Sequence, residues 1–209
     1  MSDNVKEKWE KLISRIDKIF KQNQDKTIRL PCSFGVKSLI VLFATLRVSD
    51  NFEILHISSG RHSENVSSHI SNVIEMLRNR NITVNIERIH CDVTSGDYAM
   101  HTKPCPVINY LLLHLPHDTV DIFGSTNKVY KSYKKNNIKA EFRSHADRHF
   151  PIQHYTLDML SEMYFRNVPV EYRFPTSSIC TCNSPVCPSI YDEYPPHIFK
   201  KHTDWTIYK

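Results

Sequence analysis

The 209-residue chain contains four glycines, where average usage of about 7% would give roughly fifteen. So few glycines exclude a collagen-like or flexible-linker sequence. Long hydrophobic runs are also missing. None approaches the eighteen or so apolar residues of a membrane span, so no membrane partner is expected. No secretory h-region opens the chain, because the early apolar residues alternate with Lys, Glu and Asp. Six cysteines in a chain this long, without such a leader, do not read as a secreted disulfide framework. A reducing, cytoplasmic setting is therefore expected. What remains is ordinary globular composition, 40% hydrophobic and 23% charged, enough to bury one core. The net charge of +5 suits a phosphate-bearing ligand without requiring one.

Periodicity places the elements. Residues 1–24 form an amphipathic helix on Val5, Trp9, Leu12, Ile13, Ile16, Ile19 and Phe20, with Asn4 and Glu7 as a capping box. Strands are expected at Thr27–Pro31, Phe52–Ile57, Ile82–Ile89 and Thr119–Phe123. Helices are expected over Leu39–Val48, from Ser63 to about Arg80, over Pro106–Leu115 and over Thr156–Arg166. Phe150-Pro151-Ile152 reads as a short extended piece. Strands alternating with helices predict an α/β fold, a parallel, doubly wound, Rossmann-like sheet with helices on both faces. The division is an N-terminal helix (1–24), a nucleotide-binding α/β domain (25–167) and a coil-rich, cysteine-containing tail (168–209).

Gly35, Gly60, Gly96 and Gly124 each follow a predicted strand. They share the carboxyl edge, where such sheets bind ligands. Tight turns with positive φ explain them, and so does close approach of a ligand to the backbone. The loop Ser33-Phe34-Gly35-Val36-Lys37-Ser38 joins the first strand to a helix. Backbone N–H groups at a helix N-terminus bind anions, the two hydroxyls add donors, and Lys37 adds positive charge. The spacing is not that of a Walker P-loop.

These residues resemble the pyrophosphate-binding loop of the PP-loop ATP pyrophosphatases, Ser-Gly-Gly-x-Asp-Ser, matching at Ser33, Gly35 and Ser38. Phe34 stands where that pattern has glycine, and Lys37 where it has aspartate. Within that superfamily the chain is most similar to 7-cyano-7-deazaguanine synthase. Three segments carry the resemblance. The first is Phe123-Gly124-Ser125-Thr126-Asn127 with Tyr130, Ser132, Tyr133 and Glu141-Phe142. The second is Phe150-Pro151-Ile152 with the helix from Thr156, and the third is Ser177-Ser178-Ile179-Cys180 with the cysteines after it.

The resemblance implies ATP on Ser33, Phe34, Gly35, Val36, Lys37, Ser38, Gly124, Ser125 and Asn127. Ser33, Lys37 and Ser38 would have the catalytic part. Tyr130, Lys131 and Arg143 would meet a nucleobase-like substrate. The implied activity adenylates a deazapurine carboxylate and converts it to a nitrile, a step toward queuosine. Mg²⁺ beside ATP and a homodimer are both compatible with it. Lysine in place of the loop aspartate either stands in for a metal ion or removes a metal-binding group.

Cys180, Cys182 and Cys187 form a C-x-C-x4-C cluster expected to hold a structural zinc. Cys105, His197 or His202 are the candidates for a fourth ligand. Three other readings stand beside the ATP-dependent ligase. One is a phosphoadenylylsulfate reductase or sulfurtransferase relative, needing a reactive cysteine such as Cys32 or Cys105. Another is a nucleotide-binding relative without catalysis. The third is a nucleic-acid partner, allowed but not favoured by the lysines and tyrosines of 128–143.

Overall fold

The computed structural model describes residues 3–58, 64–88, 118–124 and 147–173. In chain order these form α1 (Asp3–Gln22), β1 (Thr27–Pro31), α2 (Val36–Thr45), β2 (Glu53–Ser58), α3 (Glu64–Arg78), β3 (Thr83–Arg88), β4 (Thr119–Ile122), β5 (Arg148–His149) and α4 (Leu157–Asn167). A single 3₁₀ turn follows at Val170–Tyr172. The five strands make one sheet in the order β3-β2-β1-β4-β5, and every neighbouring pair is parallel.

Strand alternation sends successive side chains to opposite faces. Ile28, Leu30, Ile54, Val120 and Ile122 point into the main core. The apolar stripe of α1 closes over that core with Val5, Trp9, Leu12, Ile16 and Ile19, all buried. Helix α2 is apolar almost throughout and buried along nearly its whole length, as befits a helix enclosed by others. It packs against both α1 and α4.

The opposite face carries two rows. Glu53, Arg29, Asp121 and Arg148 stand in register across β2, β1, β4 and β5. Toward the carboxyl edge lies a small apolar cluster of Leu55, Ile57 and Phe123, with Phe150 against it. The rings of Phe123 and Phe150 stack at 5.1 Å.

Polar contacts tie the ends down. Arg15 donates to the Pro151 carbonyl at 2.9 Å, and the Tyr155 hydroxyl donates to the Lys8 carbonyl at 2.8 Å. Thr156 caps α4 by accepting from the Met159 N–H. The Arg173 guanidinium closes its far end on the carbonyls of Val168 and Phe165.

Several expectations shift. Helix α2 begins at Val36, three residues earlier than Leu39, so it starts directly on the loop. Asn4 lies inside α1, one residue past its first, and Glu7 pairs with Lys11 one turn on. The extended piece is Arg148–His149, just before Phe150, while residues 151–154 turn. Ile86 is 45% exposed, because β3 is an edge strand. The helix expected over Pro106–Leu115 lies outside the described residues. None of the described helices is long and apolar enough to cross a membrane.

Candidate anion site at the carboxyl edge of the sheet

The topology brings β1 and β4 together at the centre of the sheet. The residues that follow each strand therefore meet. After β1 the chain runs through Cys32, Ser33 and Phe34 into the N-terminus of α2, with Gly35 at the N-cap. No side chain caps α2, and its first turn holds no acidic residue. A helix start of this kind presents partial positive charge from its amide groups. The Ser33 and Ser38 hydroxyls lie 3.2 Å apart beside it. Ser38 also donates to the Gly35 carbonyl at 3.0 Å, and the Gly35 N–H points at Ser33 Oγ at 3.4 Å. Lys37, partly buried, is on the first turn.

Phe34 holds a left-handed backbone, φ 59°, which a bulky side chain rarely adopts. Its ring is fully buried in the main core, 5.1 Å from the His56 ring. His56 Nδ1 in turn bonds the Cys32 carbonyl at 2.9 Å. The side chain in glycine's place thus points away from the loop's outer surface. Val36 is buried as well, so it offers the site only backbone.

The glycine reading needs correction at Gly35. Its φ is −75°, and an added Cβ would meet Ser33 Oγ at an ordinary 3.5 Å. The positive φ belongs to Phe34. Gly124 is different. A Cβ there would come within 2.7–2.8 Å of the backbone of Lys37 and Ser38. The end of β4 therefore packs directly on the first turn of α2, with no room for a side chain.

Cys32 is buried beneath the loop, and burial pushes its thiol up to about 11. Backbone contact with Phe34 and the Ser38 hydroxyl pull the other way, less strongly. A thiol held protonated at neutral pH is a poor nucleophile, so Cys32 does not supply what the sulfurtransferase reading needs.

Behind the site, the Arg29 guanidinium grips Asp121 with two bonds, Nε to Oδ1 at 2.7 Å and Nη2 to Oδ2 at 3.1 Å. The Asp121 carboxyl is fully enclosed. Burial raises its pKa, and the nearby Arg29 and Arg148 only partly offset that. Sequence reading missed this row, because one Arg and one Asp 92 positions apart carry no local signal.

Of the expected site residues, Ser33, Phe34, Gly35, Val36, Lys37, Ser38 and Gly124 come together. Ser125, Asn127, Tyr130, Lys131, Arg143, Cys105, Cys180, Cys182 and Cys187 lie outside the described residues, as do Gly60 and Gly96. Among the described residues, no group of three His, Cys, Asp or Glu could hold a metal ion. The loop itself has no carboxylate to offer Mg²⁺, so the described residues do not fit that ion.

No family model and no curated protein sequence matches the chain. Solved structures do. NH3-dependent NAD synthetase from Campylobacter jejuni, in complex with the nitrate ion, matches at TM-score 0.53 and 13% identity, over 94% of this chain and 91% of that one. NMN synthetase from Francisella tularensis matches at 0.52 and 15%, over 79% and 71%. The U34-tRNA thiolase NcsA from Methanococcus maripaludis, with its 4Fe–4S cluster, matches at 0.51 and 12%, over 94% and 76%. At these identities the likeness is one of fold alone, an α/β sheet shared with these three enzymes.

Proposed function

We propose that the chain is an ATP-dependent enzyme that adenylates a substrate carboxylate and passes the acyl group to ammonia. One observation carries this: an uncapped helix start, flanked by the Ser33 and Ser38 hydroxyls, lies against Gly124 where β1 and β4 adjoin. ATP would lay its phosphates on residues 33–38. The substrate carboxylate oxygen attacks the α-phosphorus, the α–β bond breaks, and pyrophosphate leaves with that bond's electrons. Ammonia then displaces AMP, which carries off one carboxylate oxygen, and an amide remains. The amide oxygen then attacks a second ATP in the same way, AMP departs with that oxygen, and loss of the two N–H protons leaves the nitrile. The protein's part is positioning and charge neutralisation.

The substrate class, a 7-deazapurine carboxylate, rests on the sequence resemblance, with Tyr130, Lys131 and Arg143 as its contacts. The NH3-dependence named for the Campylobacter synthetase is consistent with an ammonia step. Zinc on Cys180, Cys182 and Cys187 is proposed from donor chemistry: three thiolates suit a soft tetrahedral ion with one further ligand.

Pyrophosphate release from ATP, measured with and without 7-carboxy-7-deazaguanine and ammonia, tests the reading. Release should require the substrate and fall at least about a hundredfold in Ser33→Ala. Metal analysis of the same preparation should find zinc. Iron with acid-labile sulfide would instead favour thiolase-type chemistry.

A further inference from the structure

We infer that His56 is a positioning residue for the loop after β1: its hydrogen bond to the Cys32 carbonyl holds Ser33, Phe34 and Gly35 in the conformation that receives phosphate. This rests on the phosphate reading of the loop. The loop does not favour that conformation by itself. Phe34 sits at φ 59°, where a residue with a β-carbon is disfavoured, so neighbouring structure has to maintain it. The strand β2 does so at two adjacent residues. The Cys32 N–H donates to the Leu55 carbonyl at 2.9 Å, and His56 Nδ1 donates to the Cys32 carbonyl at 2.9 Å. A carbonyl only accepts, so Nδ1 carries the proton. Both backbone polar groups of the residue that leads into the loop are therefore tied to one strand.

Cys32 lies one residue past the end of β1, and there a side chain, not the strand ladder, fixes the carbonyl's direction. Strand alternation puts His56 on the same face as Ile54, and it is buried. Its ring stands 5.1 Å from that of Phe34, itself fully buried. One side chain thus fixes the backbone before Ser33 and backs the ring after it. Without its donor the buried Cys32 carbonyl would be left unsatisfied, and the loop would turn to find another partner. The conformation competent to bind then becomes a smaller fraction, and apparent affinity falls by that fraction.

Two substitutions separate this role from plain packing. In His56→Asn the side-chain amide places an N–H where Nδ1 stood and the ring is gone. In His56→Phe a ring stays and the donor is gone. Calorimetric titration of the full chain with inorganic pyrophosphate and with ATP should find His56→Asn within about threefold of wild type, and His56→Phe weaker by about tenfold or more. His56→Leu, smaller and also without a donor, should match His56→Phe. The reverse order, with His56→Phe like wild type and His56→Asn impaired, makes His56 a packing residue and overturns the inference. So do variants that all bind like wild type or all weaken equally. Iodoacetamide labelling, read at Cys32 by peptide mapping, reports the loop with no ligand present. Cys32 is buried beneath the loop, so His56→Phe should label about tenfold faster or more, and His56→Asn should not. A matching loss of global stability in urea would trace the faster labelling to general unfolding and overturn the inference. A wild-type chain that binds neither ligand would instead sink the phosphate reading, and the labelling order alone would decide whether His56 holds the loop.

Discussion

Three positions around the loop after β1 divide what glycine ordinarily does at such a turn. Phe34 takes the left-handed backbone at φ 59°, a conformation costing about 1–2 kcal/mol for a residue with a β-carbon. Full burial of the ring offsets that by about 1.5–3 kcal/mol, so the strained residue is retained by its packing on His56. Gly35 needs no glycine for its own backbone, and Gly124 needs one for close packing. Gly124→Ala should therefore destabilise the chain by about 2–3 kcal/mol, because the clash is with backbone that has to shift. Gly35→Ala should cost about 1 kcal/mol or less, through a poorer N-cap. Urea unfolding of the two variants measures the contrast. Equal losses would contradict the assignment of close packing to Gly124. If Gly35→Ala also loses ATP binding at nearly unchanged stability, then Gly35 serves ligand approach. The sequence shows where each glycine falls relative to the strands; it cannot show which of them is spatially constrained.

At the scale of elements, the row of Arg29, Asp121 and Arg148 links β1, β4 and β5. Taking charges out of water is expensive, and a buried pair seldom improves on apolar side chains of the same size. That agrees with the raised pKa of Asp121, where burial outweighs both arginines. Removing one partner is another matter, since the remaining charge stays enclosed. Asp121→Ala should cost about 3–5 kcal/mol, whereas Arg29→Met with Asp121→Leu should cost far less. A double-mutant cycle by chemical denaturation measures this, and additive losses would refute the coupling. The row also marks the limit of sequence reading. The strands β1, β2, β3 and β4 are legible because each carries apolar residues at alternating positions, as Ile28 and Leu30 or Val84 and Ile86 do. The strand β5 is two residues long, Arg148 and His149, both polar. Only pairing with Asp121 and Ile122 makes it a strand, and no local pattern encodes a partner 27 residues away. The site was legible in the same measure. The loop after β1 announces itself by Ser, Gly and Lys, while the contacts of Phe34 with His56 and of Gly124 with α2 exist only in three dimensions.

Across the whole molecule, pH acts through groups far apart in the chain. Burial lowers the pKa of His69 on α3 and of His149 on β5, with weaker opposing effects from the Tyr172 backbone and Asp147 respectively. In the unfolded chain both return to about 6.5. Below that value the unfolded state takes up protons that the fold resists, so stability falls as pH falls. Their contribution is complete above about pH 6.5 and is lost as pH drops through the lower folded values. Asp121 works in the opposite sense. Its raised pKa makes the folded carboxyl the readier proton acceptor, which favours the fold on the acid side and ceases to do so as pH rises through the folded value. The two histidines cost stability on the way down from about pH 6.5, and Asp121 opposes them below its own raised folded value. Thermal unfolding should therefore give a lower Tm at pH 5 than at pH 7, by roughly 2–4 °C for each kcal/mol lost in a chain of this size. His69→Gln combined with His149→Gln removes both titrations and should flatten that slope. A double variant that keeps the full decline would place the acid sensitivity on other groups.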